Sequence, residues 1–198
     1  MTKFRLISDL HLEFLVDEFH KTKPYTTGTA IKSVSERALE LIPVMDDEKE
    51  QTLILAGDIC NARDVMQLSD FFSTLNDRFK SVIYIVGNHE YYFHNYQKTV
   101  EYIKWVLESF DNIMVLNNQI VELDDCLIVA GTMWTNFDNE NPMSIEYARG
   151  AMSDYRLVNN GNKLLSPYDT VDEFKQFMSV FDNLHKYPDK LFKFICLS

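Results

Sequence analysis

The chain has 198 residues, of which 46% are hydrophobic and 25% charged, and its formal net charge is −11 at pH 7. These fractions are typical of one soluble globular domain and exclude a disordered tail, a collagen-like fibre and a bundle of membrane helices. The acidic balance disfavours non-specific binding to nucleic acid or anionic membranes, because it repels phosphate groups at long range. We expect a single domain over residues 1–198.

Three cysteines, Cys60, Cys126 and Cys196, are far apart and form no CxxC pair. Separated cysteines in an odd number are typical of reduced thiols in a cytoplasmic protein. The first residues lack the uninterrupted apolar run of a signal peptide, and no apolar run is long enough for a membrane span. We therefore expect a cytoplasmic protein with no membrane partner.

In the first half of the chain, short apolar runs alternate with helical patterns. The apolar runs predict strands at residues 3–8, 52–56 and 82–86. Helical spacing predicts helices at residues 34–45, with Ser33 or Ser35 as the N-cap, and at residues 64–79 and 96–110. Residues 16–33 are predicted to form a loop, either a lid or a plain surface insertion.

The second half of the chain begins with closely spaced strands. Apolar runs predict strands at residues 113–116, 119–123 and 127–130, the last two joined as a hairpin through Asp124 and Asp125. Residues 132–167 have no clear period and are predicted to be irregular. A helix is predicted at residues 170–184, opened by a capping box of Thr170 and Glu173, and a last strand at residues 191–197.

Polar residues follow each of the first three predicted strands. They are Asp9 and His11, then Asp58, then Asn88 and His89. Because strand–helix–strand connections pair strands in parallel, their carboxyl ends meet at the edge of the sheet where ligands bind. Carboxylate, imidazole and amide groups suit Mn, Zn or Fe ions, and Asp58 on the middle strand can bridge two ions about 3.5–4 Å apart.

These residues lie in three motifs, namely Asp9-Leu10-His11, Gly57-Asp58 and Gly87-Asn88-His89-Glu90, in that order. With this combination, nearly the whole chain resembles the calcineurin-like metallophosphoesterase family. Residues 131–137 and 152–155 resemble a small bacterial and phage-type branch of it. The resemblance implies an α/β fold, an αββα sandwich of two sheets flanked by helices.

The resemblance also implies a dinuclear metal centre. Asp9 and His11 would bind the first ion, Asp58 would bridge both ions, and Asn88 would bind the second. The expected cofactors are two divalent ions, of Mn, Fe, Zn or Mg, which activate a water for attack on phosphorus. The implied function is hydrolysis of a phosphoester bond in a small molecule or nucleotide.

Further roles follow from the same resemblance. His89 would be the catalytic histidine that stabilises developing charge and protonates the leaving group, and Asp9 would help to orient it. Glu90 and Glu13 are expected to support the metal ligands from outside.

Two aromatic residues are candidates for substrate binding. Tyr91, in the run that continues to Tyr92 and Phe93, would either wall the substrate site or pack the edge of the sandwich. Trp134 lies in the segment predicted to be irregular, with Asn136 and Asp138, and is expected to line the site.

Two later motifs of the family, a histidine after a strand and a Gly-His-x-His sequence, do not occur in this chain. The remaining histidines, His20, His94 and His185, do not follow a strand, so they could substitute only through a rearranged fold or a partner chain. We therefore expect a domain truncated at its C-terminus, with one ion weakly bound or absent and poor hydrolysis. Missing strands would also leave an open sheet edge for self-association.

Two alternative functions remain open from the residues. The first is a catalytically impaired domain that binds metal or a protein partner. The second is a nuclease of the same family, which the net charge of −11 disfavours.

Overall fold

Four parallel strands form the first sheet of this computed structural model, which describes residues 2–21, 33–124, 126–187 and 191–194. In the order of the sheet they are β1 (Lys3–Ile7), β2 (Gln51–Ala56), β3 (Ser81–Ile85) and β4 (Ile113–Leu116). All three pairings are parallel, which confirms the parallel arrangement predicted for the first three strands. Every residue of β2 is buried, as expected of a central strand covered on both faces.

A second sheet has the order β5-β6-β9, with β5 (Gln119–Leu123), β6 (Cys126–Ala130) and β9 (Leu191–Phe194). The first two strands form the predicted antiparallel hairpin, and β9 pairs with β6 in parallel. Two short strands, β7 (Asn159–Asn160) and β8 (Lys163–Leu164), form a separate ribbon. Residues 195–197 of the predicted last strand lie outside the described residues.

The helices of the described residues surround these sheets. They are α1 (Glu13–Lys21), α2 (Val34–Glu40), α3 (Ser69–Arg78), α4 (Thr99–Leu107), α5 (Phe137–Glu140), α6 (Pro142–Ala151), α7 (Asp154–Leu157) and α8 (Pro167–Asp182). α5 is a single turn in which φ lies between 50° and 63°, in the left-handed region. The predicted helices at residues 64–79 and 96–110 each begin as 3-10 turns, Ala62–Leu68 and Tyr96–Lys98. No helix in this part of the chain has the length and apolarity to span a bilayer.

Two clusters of buried apolar side chains form the layers of the predicted sandwich. Ile54 and Ile83 of the first sheet pack with Ile128 of the second, so the two sheets face each other. The opposite face of the first sheet, including Tyr84, packs against the helices in a larger core. Helix α8 contacts β5 of the second sheet. The predicted fold class, two packed sheets flanked by helices, is therefore confirmed.

The prediction of a loop at residues 16–33 is wrong over its first part, because residues 13–21 form α1. Leu12, directly before the helix, and Val16 within it are four positions apart and buried, which anchors the start of this helix. The buried residue between them is the charged Glu13, so the apolar pattern is interrupted in the sequence. Residues 22–32 lie outside the described residues.

Helix α2 begins as predicted and ends early. Ser33 is the N-cap, and its hydroxyl accepts a hydrogen bond from the Glu36 N–H while the Glu36 carboxylate accepts one from the Ser33 N–H. The helix ends at Glu40 instead of residue 45. Pro43 explains this difference, because a proline disfavours helical backbone at the residue before it and removes a donor.

The prediction that residues 132–167 are irregular is also wrong, since they contain α6 and α7. Helix α6 is capped by Asn141, whose side chain accepts from the Met143 N–H, and Pro142 occupies its first turn. Its buried residues are Ile145 and Ala148, whereas Tyr147 is exposed. Because so few apolar residues face the core, their helical spacing is weak in the sequence.

Helix α8 starts earlier than predicted. Its N-cap is Ser166, whose side chain accepts from the Asp169 N–H, and Asp169 completes the capping box by accepting from the Ser166 N–H. The predicted capping box of Thr170 and Glu173 is therefore wrong. Glu173 instead accepts hydrogen bonds from the side chains of Asn117 and Asn118.

The change Ser166→Ala is expected to lower the free energy of unfolding by about 1 kcal/mol, because it removes the N-cap of α8. Ser179→Ala on the same helix is the matched control, since its hydroxyl donates only to the carbonyl of Gln176 on an exposed turn. Urea denaturation of both variants measures the difference. Equal unfolding midpoints for the two variants would contradict the cap assignment.

Candidate active site

The loops after β1 and β2 are held together by backbone hydrogen bonds. The Asp9 N–H donates to the Gly57 carbonyl at 3.1 Å, and the His11 N–H donates to the Asp58 carbonyl at 3.0 Å. Asp9, His11 and Asp58 have φ of 54°, 46° and 54°, in the left-handed region. This backbone is uncommon for residues other than glycine and is found preferentially at functional sites.

Three side chains from the three strand-end loops meet at this edge. One ligand atom each from His11, Asp58 and His89 lie within 4.8 Å of one another. The His11 and His89 ring centroids are 4.3 Å apart, and Asp58 is buried with 6% of its surface exposed. The structure thus brings together three of the five residues predicted to converge, in a set of donors that suits a divalent ion.

Asp58 has a fixed orientation in this cluster. Its Oδ1 atom accepts a hydrogen bond from the His89 N–H at 2.9 Å. Burial raises the pKa of Asp58 above its ordinary value, and the charge of Asp9 acts in the same direction. A carboxylate in this position is costly without a cation, so the site favours binding of positive charge.

Glu13, at the start of α1, connects both histidines. Its Oε1 atom lies 3.2 Å from His11 Nδ1 and 2.9 Å from His89 Nδ1. An acceptor at both Nδ1 atoms places a proton there and leaves the Nε2 atoms for a ligand or a proton transfer. Burial alone would raise the pKa of Glu13, but the hydrogen bonds with His89, its own backbone and His11 lower it overall.

The change Glu13→Gln is expected to reduce metal affinity or activity by about 10–100-fold, the usual cost of losing a partner of a metal ligand. It should also lower the pKa of His89, because Glu13 and Asp58 raise that pKa against the opposing effect of burial. NMR titration of the His89 ring in the metal-free chain measures this shift. Glu18→Gln, an exposed change on the same helix, is the control and should leave the titration unchanged. An unaltered His89 titration in Glu13→Gln would contradict the assignment.

Glu90 is completely buried beneath the loops that follow β2 and β3. Its two oxygens accept hydrogen bonds from the backbone N–H groups of Asp58, Ile59 and Gly87, at 2.7–3.0 Å, and from the Tyr84 hydroxyl. Burial, followed by the nearby charge of Asp58, raises the pKa of Glu90 to about 7. Glu90 therefore supports the backbone of the Asp58 loop.

Asn88 is oriented by a residue for which the sequence predicted no role. Its Nδ2 atom donates to Asp154 Oδ1 at 2.8 Å and to the Tyr92 hydroxyl at 3.2 Å. Asp154, on α7, is 3% exposed. This arrangement leaves the amide oxygen of Asn88 as the atom that can bind a cation.

Asp9 is predicted to bind the first ion and to help orient His89. It is exposed, and its carboxylate is not part of the three-residue cluster. The role of Asp9 in orienting His89 stays a prediction, and the residue that contacts Nδ1 of the His89 ring is Glu13. The physical reason is that α1 begins directly after His11 and brings Glu13 against both histidines.

The two predicted substrate-binding aromatics are both largely buried. Tyr91 is 1% exposed and packs in the main core with Tyr96, so its prediction as a wall of the substrate site is corrected. Trp134 is 6% exposed and lines a cavity of about 270 Å³ together with Asn88 and Asp154. A second cavity, of about 250 Å³, is lined by Glu13 and His89 among others.

The three remaining histidines are held elsewhere. His20 bonds to Gln67, and His94 bonds to Thr99. His185 follows α8 and contacts the carbonyl of Asp182. In the described part of the chain none of them joins the cluster.

The sequence interpretation missed Asn61 as well as Asp154. The Asn61 side chain donates to the His89 carbonyl at 2.8 Å and is almost fully buried. The position of Asn61, three residues after Asp58, was the available signal, because the loop after a central strand borders the site.

Comparison with known proteins agrees with this geometry. Residues 2–182 match the sequence pattern of the calcineurin-like phosphoesterases. The chain belongs to the calcineurin-like phosphoesterase family. Members of this family hydrolyse phosphoesters with bound metal, and the cluster of His11, Asp58 and His89 lies within the matched region.

Two individual proteins are similar to this chain. An uncharacterized protein of Acanthamoeba polyphaga mimivirus is 29% identical over 175 residues, which cover 83% of this chain and 55% of that protein. The chain thus spans about half the length of that relative. The crystal structure of a phosphopantetheinyl hydrolase from Mycobacterium tuberculosis aligns with a TM-score of 0.62 and 14% identity, over 98% of this chain and 67% of the other. The similarity between this chain and the hydrolase is a similarity of fold.

Proposed function

We propose that this chain hydrolyses phosphoester bonds with the help of bound divalent metal. The observation that supports it best is the convergence of His11, Asp58 and His89 within 4.8 Å at the carboxyl edge of the parallel sheet. Membership of the calcineurin-like phosphoesterase family supports the same reaction class.

The residues of this edge fit a divalent cation. His11 Nε2, a carboxylate oxygen of Asp58 and the amide oxygen of Asn88 are the proposed ligand atoms, with the exposed Asp9 beside them. The buried charge of Asp58 and the orientation of Asn88 by Asp154 both favour a cation. Bound metal supplies an acidified water and neutralises phosphoryl charge.

His89 is the proposed proton donor to the departing oxygen. The hydrogen bond from Nδ1 to Glu13 fixes the ring and leaves Nε2 as the nitrogen proposed to carry the transferable proton. Burial alone would lower the pKa of His89, but Glu13 and Asp58 raise it overall, so the protonated ring persists closer to neutral pH. A protonated imidazole in this position can donate its Nε2 proton to an alkoxide.

Metal removal tests this proposal. The chain loaded with Mn²⁺ is expected to hydrolyse bis(p-nitrophenyl) phosphate or p-nitrophenyl phosphate, to lose activity in EDTA and to regain it when Mn²⁺ is restored. Calorimetry measures binding of the ion directly. Metal binding without turnover of either ester would support an impaired binding domain, and cleavage of an oligonucleotide in preference to both would support a nuclease.

A further inference from the structure

The cavity of about 250 Å³ beside His89 is placed where a leaving group would lie. It shares Glu13 and His89 with the candidate active site. A proton donor must lie next to the atom that departs, so the part of the substrate beyond that atom occupies the His89 side. The volume is that of a site for one fragment, smaller than most pockets for whole drug-sized ligands.

Aromatic and apolar side chains line most of this cavity. Phe14, Tyr92, Phe93 and Leu157 contribute, and the Tyr92 ring packs on the His89 ring with centroids 4.3 Å apart. Phe14 is 63% exposed and Phe93 is 49% exposed. Two large rings left open to solvent at the edge of a reaction site present faces on which a planar group can stack.

Phe93 is held in an unusual backbone conformation. Its φ of 60° is in the left-handed region, where a bulky residue is a genuine outlier. The hydrogen bond from the Phe93 N–H to the Leu157 carbonyl, at 2.9 Å, maintains this conformation. Such strain is concentrated at ligand sites, which gives a second reason to assign the Phe93 ring a binding role.

Arg63 also lines this cavity. Its guanidinium carbon lies 4.4 Å from the centroid of the Phe93 ring. Its nitrogens lie 3.8 Å from Asp17 and 3.5 Å from Asp64, and the side chain is 40% exposed. A guanidinium has five N–H donors, so the donors beyond these two contacts can reach acceptors on the edge of a stacked ring.

The charge of the cavity does not favour an anionic leaving group. Glu13 and Asp17 line it with negative charge, whereas Arg63 and, when protonated, His89 supply positive charge among its lining residues in the described chain. The lining thus offers no excess of positive charge to hold a further phosphate, whereas a neutral ring can stack on the aromatic side chains and accept from the Arg63 donors.

We infer that this cavity is a leaving-group subsite for a neutral planar aromatic group, such as a nucleoside or an aryl alcohol, with Phe93 and Arg63 as its specificity residues. The inference rests on the proposed function for the direction in which the leaving group departs.

Binding to the metal-free chain tests the subsite independently of catalysis. Ligand-observed NMR is expected to show binding of adenosine or phenol, but not of ribose. Phe93→Ala and Phe93→Leu should each weaken aromatic binding at least about fivefold, the lower end of the cost of losing a base–aromatic stack. Tyr147→Ala, which removes a ring that is 79% exposed on α6, is the matched control and should change nothing.

Activity of the Mn²⁺-loaded chain provides the second arm. For each chain, kcat/KM for a phenyl phosphoester is divided by kcat/KM for the methyl phosphoester. This ratio should be at least about fivefold lower in Phe93→Leu than in the unaltered chain. An equal fall in kcat/KM for both esters would overturn the subsite. Equal binding of aromatic ligands and ribose to the metal-free chain would overturn it as well. Aromatic binding in a chain that hydrolyses neither ester would uphold the subsite and overturn the proposed function. Preference for adenosine over phenol would identify a nucleoside ester.

Discussion

Replacing Asp58 by Asn is expected to reduce metal affinity by at least about 100-fold, because losing a first ligand should cost more than losing an outer partner. The variant should nevertheless fold, since an asparagine oxygen can still accept the hydrogen bond from the His89 N–H. Calorimetry with Mn²⁺ measures the affinity, and the hydrolysis of bis(p-nitrophenyl) phosphate should fall with it.

The pH dependence of stability distinguishes this effect from simple misfolding. Burial raises the pKa of Asp58 in the folded chain, so the folded state loses stability as pH rises from the ordinary pKa through the raised one. Asparagine carries no such cost. The metal-free Asp58→Asn chain should therefore gain free energy of unfolding relative to wild type at about pH 7, and little at about pH 4.

Asp64→Asn is the matched control for this experiment. Asp64 is also buried, and burial raises its pKa as well, but it lies outside the cluster. It should show a similar pH-dependent gain in stability with metal affinity unchanged. Equal loss of metal binding in both variants would show that Asp58 has no special place in the site.

Gly87→Ala is expected to destabilise the fold by about 3 kcal/mol, at the upper end of the usual cost of overpacking. A methyl group at Gly87 would lie 2.3 Å from Asp58 Oδ1 and 2.6 Å from the Asp58 backbone nitrogen. That nitrogen is held by its hydrogen bond to Glu90, so neither loop can move without breaking the support of the site. Metal binding should fall together with stability, in contrast to Asp58→Asn.

Gly150→Ala provides the control for this change. Gly150 lies in α6 with nothing within 4 Å of an added methyl group, so alanine should stabilise the helix by about 0.5–1 kcal/mol. Guanidinium denaturation gives both free energies of unfolding. A Gly87→Ala chain as stable as Gly150→Ala would refute the close approach of the two loops.

The central strands and the place of the candidate site were predictable from the sequence. β2 and β3 are continuous apolar runs because both faces of their sheet are covered, and such runs can be identified without any partner. Asp58 and His89 follow those strands directly, so parallel pairing was enough to bring them together.

Other features depend on contacts that a one-dimensional pattern does not contain. Helix α1 buries a glutamate in its first turn, and α6 buries only a narrow stripe, so both had weak periods. The bonds of Glu13 to both histidines and the role of Asp154 arise because α1 and α7 lie beside the strand-end loops. Tyr91 and Tyr92 are adjacent, but the turn after β3 buries the first ring and directs the second toward the cavity.

The distribution of the cluster over three separate strand ends has a consequence for the lifetime of a newly made chain. His11, Asp58 and His89 meet only after β1, β2 and β3 have paired, and parallel pairing across long crossovers is a slow step in folding. A cation that binds only the folded chain adds about 2.7 kcal/mol of stability at a hundred times its Kd. The supply of metal would then shift the equilibrium toward the folded chain, in which these strands are paired with one another and less of their edge is open to aggregation.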